Sequence, residues 1–193
     1  MRTQLKTLVE QGAAAQDISA LLNSLTPLHR LDEVLEVKGK LIGQLYRLVQ
    51  GHNTLKTSEL LPSGTAAGET YVYEGRNSLP VFSRFQKRLT QTADGTIFGY
   101  NHQANRIITG PGYFVVKQGD GEREGEVLFD YTEAPPFEPK GWPAIAPNDQ
   151  GLSRYVFANM HDWVRRVANG VFVGCAFKLG VDQDTYFSLT SQD

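Results

Sequence analysis

The side chains best suited to chemistry lie on short alternating runs. Over residues 97–102 the order Ile-Phe-Gly-Tyr-Asn-His places Phe98, Tyr100 and His102 on one strand face and Asn101 on the other. Over 81–89, Phe82, Arg84, Gln86 and Arg88 share a face opposite Val81, Phe85 and Leu89. Two readings follow. Either the arginines are ordinary solvated groups, or some enter a barrel interior, where an unpaired charge is so costly that it requires an anionic ligand or a buried carboxylate such as Asp130 or Asp162. Tyr100, His102, Arg84, Arg88, Tyr113, Trp142 and Arg165 form the candidate ligand-contact set. His102 and Tyr100, with Asp162 or Arg165, are the acid, base or oxyanion groups that an enzyme reading would use. No catalytic set is singled out.

Other chemistries find little support. His29, His52, His102 and His161 are never within three to five residues of one another, and Cys175 has no second cysteine, so no metal spacing and no disulfide is expected. Cys175, between Gly174 and Ala176 in an apolar run, reads as an inert core thiol. Gly110-Pro-Gly112 leads into strand-like residues and not into a helix N-terminus, so it is a turn and not a phosphate cradle, and no cofactor is expected. The formal net charge of −2 is a poor basis for nucleic-acid binding. Residues 75–117 nevertheless carry six basic groups against Asp94, and 118–150 carry eight acidic groups against Arg123 and Lys140, which predicts self-complementary surface strands. Lys6 and Glu10 interrupt any signal-peptide core, and no apolar run approaches the roughly 18 residues of a transmembrane helix. A cytoplasmic location without a transmembrane segment is expected.

The elements that must position these groups are read from periodicity. Thr3–Glu10, a segment capped by Asp17, and Pro27–Val34 behind Thr26 are expected to be helices. Residues 36–46 read as a strand, because Val37, Gly39, Leu41, Gly43 and Leu45 alternate with polar positions and two glycines weaken a helix. Further strands are expected at 71–74, 81–89, 96–102, 106–109, 113–117, 126–131, 155–159, 163–167, 171–177 and 185–189, with hairpin chemistry at Asp94-Gly95 and Asn169-Gly170. Such a succession predicts an α+β, mostly β, single domain: N-terminal helices over 1–34, packed on or plugging an antiparallel meander β-barrel over 35–193 of about eight to ten strands. Residues 133–151, with five prolines and Trp142, form a stiff loop expected to lie over one barrel mouth, with Trp142 or Phe137 across the opening; a subunit contact, and hence a homo-oligomer, is the rival.

Gly39-Lys-Leu-Ile-Gly43, followed by Gly51-His52 and Leu60-Leu61, resembles the Gly-x-Trp-x-Gly element and succeeding Gly-His of a group of small bacterial proteins with a lipocalin-like domain, Leu41 standing at the tryptophan position. Tyr155 through Asp162-Trp-Val-Arg165, then Gly174 and Tyr186-Phe-Ser-Leu189, resembles the closing segment of the same group. The resemblance implies a lipocalin-like barrel with an apolar pocket. The first functional expectation is therefore binding of a small apolar or amphipathic, lipid-like and even anionic ligand in the barrel. An enzyme using that cavity and a filled, partner-binding barrel remain as alternatives, to be separated by whether the interior is open, carries a His–carboxylate pair, or is packed.

Overall fold

The computed structural model describes residues 3–81, 83–103 and 110–192. The strand expected at 106–109 and the side chain of Phe82 lie outside them. Eight strands form a closed barrel in which each pairs antiparallel with the next and the last with the first: β1 (Tyr71–Asn77), β2 (Arg84–Gln91), β3 (Ile97–His102), β4 (Tyr113–Gln118), β5 (Val127–Asp130), β6 (Met160–Ala168), β7 (Val171–Lys178) and β8 (Val181–Ser191). Closure leaves no strand edge exposed, which suits a meander of this length.

Four helices precede the barrel: α1 (Gln4–Gln11), α2 (Ala15–Ser24), α3 (Pro27–Glu36) and α4 (Lys40–Leu48). The α1 N-terminus is capped from a distance, the Glu33 carboxylate accepting the backbone N–H groups of Gln4 and Leu5 at 3.2 and 2.7 Å. Asp17 lies inside the first turn of α2 and is not its cap, whereas Thr26 caps α3 as its sequence suggests. The expected strand over 36–46 is overturned. The chain stays helical to Glu36, breaks at Gly39, whose φ of 54° suits glycine, and resumes as α4. The helical stripe Ile42, Leu45, Tyr46 and Val49 coexists with the period-two pattern and is the one that is buried. Gly43 is there for close approach: a Cβ on it would lie 2.7 Å from the Tyr186 ring. The helical part thus runs to Leu48, and the first strand begins at Tyr71 instead of near 35.

The helices pack on the outside of the barrel and do not plug it. Ile18, Leu22, Val34, Ile42 and Leu45 meet Val167, Val171, Val173 and Cys175, the outward side chains of β6 and β7. The expected strand at 155–159 is instead α5 (Ser153–Val156), and β6 begins at Met160 after Asn159 turns the chain with a φ of 56°.

Inside the barrel, Tyr73, Leu89, Phe114, Phe129, Val164, Phe172, Phe187 and Leu189 form a continuous apolar core. Glycine makes room for these rings. A Cβ on Gly174 would come within 2.2 Å of the Phe187 ring, and one on Gly75 within 2.6 Å of Phe85. Phe114 stacks on Phe129 at 4.7 Å. The middle of the barrel is filled by its own side chains, as eight strands permit.

Candidate functional site

Strand register decides which chemistry-bearing groups can meet. Tyr73, Lys87 and Asn101 are successive cross-strand partners on β1, β2 and β3, with Tyr73 in the interior core, so Lys87 and Asn101 point inward. Asp162 pairs with Phe129, also inward. The Lys87 ammonium donates to Asn101 Oδ1 at 2.9 Å, Tyr131 OH at 2.6 Å and Asp162 Oδ2 at 3.2 Å, which uses all three of its N–H bonds. The Tyr131 hydroxyl donates to Asp162 Oδ2 at 2.9 Å, and Asn101 Nδ2 donates to Tyr131 OH and to the Gly112 carbonyl. Around the ammonium stand the rings of Phe114, Phe187 and Phe129, at 4.6, 4.9 and 5.1 Å. Burial lowers the tendency of Lys87 to hold its proton, and Asp162 opposes that; burial also pushes the Tyr131 phenol well above its ordinary value, with Asp162 adding to it. This quartet is a closed network.

The sequence offers Asp130 or Asp162 as the buried carboxylate that an interior arginine would need; the one inside the barrel is Asp162, and its cation is Lys87, not an arginine. The signal was present. Lys87 falls between Phe85 and Leu89 on the apolar face of its strand, where a charge has no reason to be unless it is paired.

The predicted ligand contacts lie elsewhere. Arg84 and Arg88 are on the outward face of β2, which overturns the reading that puts arginines inside; the alternation is right, but Lys87 occupies the inner face. Tyr100, Tyr113, Phe98 and Val115 form an outer-wall cluster with Trp142 laid over it. Tyr100 lies 4.8 Å from Trp142 and 5.6 Å from Tyr113, ring centre to ring centre, and its hydroxyl is 3.5 Å from both His102 Nδ1 and Arg88 Nη1. Five of the seven candidates therefore do come together, on the outside. Arg84 stands exposed at the start of β2, and Arg165 is on the far side of the barrel. There Arg165 binds Glu126 Oε1 and the Tyr46 carbonyl, both at 2.8 Å, with its guanidinium 3.8 Å from the Tyr46 ring centre. An Asp162–Arg165 pair does not form. Three residues apart on one strand, the two project to opposite faces. The acid–base set of the enzyme reading is likewise divided by the barrel wall, with Asp162 inside and Tyr100 and His102 outside.

The proline-rich loop is a strap along the outer wall and not a lid. Trp142 Nε1 donates to Thr70 Oγ1 at 2.8 Å, Phe137 meets Phe98 edge-on, and the Tyr113 hydroxyl donates to the Pro143 carbonyl at 2.5 Å. Burial raises the Tyr113 phenol above its usual range, and the Glu138 charge adds to this. Where the strap leaves and rejoins the barrel it encloses a cleft of about 330 Å³ lined by Tyr113, Tyr131, Thr132, Glu133, Ile145, Asn148, Asp149 and Asn159, among others. Asn148 Nδ2 ties the strap to the barrel there by donating to the Tyr113 and Tyr131 carbonyls, both at 2.8 Å. Tyr131 thus lines the cleft and joins the interior quartet.

The remaining polar groups pair locally. Lys117 bridges Asp130 and Glu133 at 2.7 and 2.8 Å, joining the basic and acidic halves as their charges suggest, and His161 lies 3.3 Å from Asp130. Cys175 is buried, its thiol pushed upward by burial and by Asp182. Among the described residues no group of three or more His, Cys, Asp or Glu could hold a metal ion, and no helix is long and apolar enough to cross a membrane. No family model, curated protein or solved structure matches the chain. Gly39–Gly43, which carries the first part of the lipocalin-like resemblance, lies at the start of α4.

Proposed function

We propose that the protein is a binding module that takes a small amphipathic ligand in the cleft between its strap and the ends of β4, β5 and β6, with the filled barrel as a rigid scaffold. The observation that carries this reading is the cleft itself. Its volume of about 330 Å³ falls in the range of small-molecule sites, and its walls combine Pro135, Ile145 and Pro147 with Thr132, Asn148 and Asn159. Glu133, paired with Lys117, and Asp149 contribute its charge, and no Lys or Arg is among the described residues that line it, so a neutral or cationic head group suits it better than the anionic one. The packed interior favours the partner-binding alternative over any ligand inside the barrel, and the test below separates that alternative from the cleft.

Fluorescence of Trp142 in a Trp163→Phe background, titrated with dodecylamine, dodecanol and laurate below their aggregation thresholds, reads occupancy. Saturable shifts with the amine or alcohol, weaker with laurate, and lost in Ala158→Phe without a change in thermal unfolding, are expected. No response to any of the three, or a response that Ala158→Phe leaves intact, defeats the cleft and leaves the partner-binding scaffold.

A further inference from the structure

Exposed apolar side chains gather at one end of the barrel. The end where β2, β4, β6 and β8 begin carries Leu79 and Val81 on the β1–β2 connection, Leu152 and Tyr155 at α5, and Leu179 and Val181 at the β7–β8 hairpin, all exposed. Beyond these and Val156 of α5, the exposed large apolar side chains among the described residues are Leu28, Phe137 and Ile145. The tips are tied into one rim. The Leu179 N–H donates to the Asn159 carbonyl at 3.1 Å, Lys178 Nζ donates to the carbonyls of Arg154 and Tyr155, and Ser78 and Tyr186 exchange two hydrogen bonds.

The hairpin tip is built against its own conformational preference. Lys178 pairs with Val181, so Leu179 and Gly180 form a two-residue turn, with φ of 51° and 78°. Two successive positive φ values call for Asn, Asp or Gly at the first position. Here a leucine holds it and is 74% exposed. Both solvation and backbone geometry argue against that residue unless its side chain is used.

The hairpin also projects. Pairing of β8 with β1 ends at Asn77–Phe187, whereas pairing with β7 continues past a bulge to Lys178–Val181, so the hairpin runs the four residues from Gly174 to Lys178, roughly 13 Å at about 3.3 Å per residue, beyond its first-strand neighbour. We propose that this rim docks on a zwitterionic phospholipid surface, with Leu179, Val181 and Leu152 entering the acyl boundary and Tyr155 at head-group depth. A projecting finger and separate loop tips need no matching shape in a fluid phase, whereas a protein partner would need a complementary face. Tyr155 carries the cation of an interfacial pair, the Arg154 guanidinium lying 4.7 Å from its ring centre and donating to its hydroxyl at 2.7 Å. Charge on the described residues of the rim is close to balanced, Arg154 and Lys178 standing with Asp182 and Asp184, and Arg84 at the start of β2 lying near Glu36, which favours a net-neutral lipid. The proposal rests on the rim alone and not on the cleft, although Asn159, which receives the Leu179 N–H, also lines the cleft.

Co-flotation of the full chain with phosphatidylcholine vesicles tests it, with and without about one-fifth phosphatidylglycerol and in about 0.5 M salt, where screening is short-ranged. Binding to phosphatidylcholine, little altered by the anionic lipid or by salt, is expected. Leu179→Asn is the decisive variant: asparagine suits the turn, so thermal unfolding should hold or rise while vesicle binding falls about tenfold or more. Failure of the parent to float, equal flotation of the variant, or a dimer in sedimentation that the variant abolishes would each overturn the proposal, the last in favour of a second copy of the chain. Leu179→Asn should leave dodecylamine binding in place, and Ala158→Phe should leave flotation in place, so the rim and the cleft fail separately.

Discussion

Replacing Lys87 with Met probes the quartet at its centre. Met keeps an unbranched stem of similar length and removes the ammonium that donates to Asn101, Tyr131 and Asp162. Asp162 is then left inside the barrel with the Tyr131 hydroxyl as its donor. Two routes bound the cost. A carboxylate that stays charged after losing a buried partner costs about 3–5 kcal/mol. A carboxyl that takes up a proton at pH 7 costs about 4 kcal/mol, because an unfolded aspartate ionises near 3.9 and each pH unit is worth about 1.4 kcal/mol. The protein follows the cheaper route, so Lys87→Met should lose about 3–4 kcal/mol at pH 7. At pH 5 the protonation route costs only about 1.5 kcal/mol. The folded variant then holds a proton that the unfolded chain has released, so its deficit relative to the parent shrinks as pH falls. Lys87→Met/Asp162→Asn removes the stranded charge and should recover most of the loss. Urea denaturation of parent, single and double variants at both pH values is the assay. A single-variant loss below about 1 kcal/mol, or one of equal size at pH 7 and pH 5, would refute the assignment of a charged pair to the barrel centre.

Arg165→Met should cost about 2 kcal/mol, measured by urea unfolding, since it frees the Tyr46 carbonyl beneath α4 and leaves Glu126 with Arg123 as its remaining cation; Arg165→Lys should not restore it, because an ammonium cannot fill both bonds in that plane. Glu59 accepts from Arg166 at 2.5 Å, and that bond, opposed by burial, holds its carboxyl below the ordinary value. Its folded value is depressed, so the pair's contribution is present above about pH 4.5 and is lost as pH falls through the lower folded value. Circular dichroism from pH 6 to pH 3 should show parent and Arg166→Met converging in acid, from a gap below about 1 kcal/mol, because the half-exposed carboxylate is screened by water.

The strands were legible because most of them alternate, and the meander followed from their number. The failures have local causes. At 36–46 two periods fit the same residues, and the glycine cost that favoured a strand is offset by what the glycines do: Gly39 separates two helices and Gly43 lets α4 close on Tyr186. At 155–159 the apolar residues Tyr155 and Val156 are exposed on a short helix, so burial was the wrong premise for them. The loop's prolines and aromatics correctly marked a docked segment. Its docking face could not be read, since Trp142 finds apolar partners on the outer wall.

That last point explains why five of the seven candidate residues come together, but on the outer wall and not inside the barrel. Alternation says which side chains share a face, but only polarity says which face is inside. Polarity fails wherever the outer wall is itself covered. On β7 the outward Val171, Val173 and Cys175 lie under the helices, and on β3 and β4 the outward Phe98, Tyr100, Tyr113 and Val115 lie under the strap, so both faces are apolar. On β2, with Arg84, Gln86 and Arg88 facing out, composition does distinguish the two sides, and there the inner face carries the one charge that disguises it, Lys87. A lysine on the apolar face of the most polar strand was therefore the most informative residue in the chain, because its burial requires the carboxylate that β6 supplies four strands further along, and the pair fixes the inside of both.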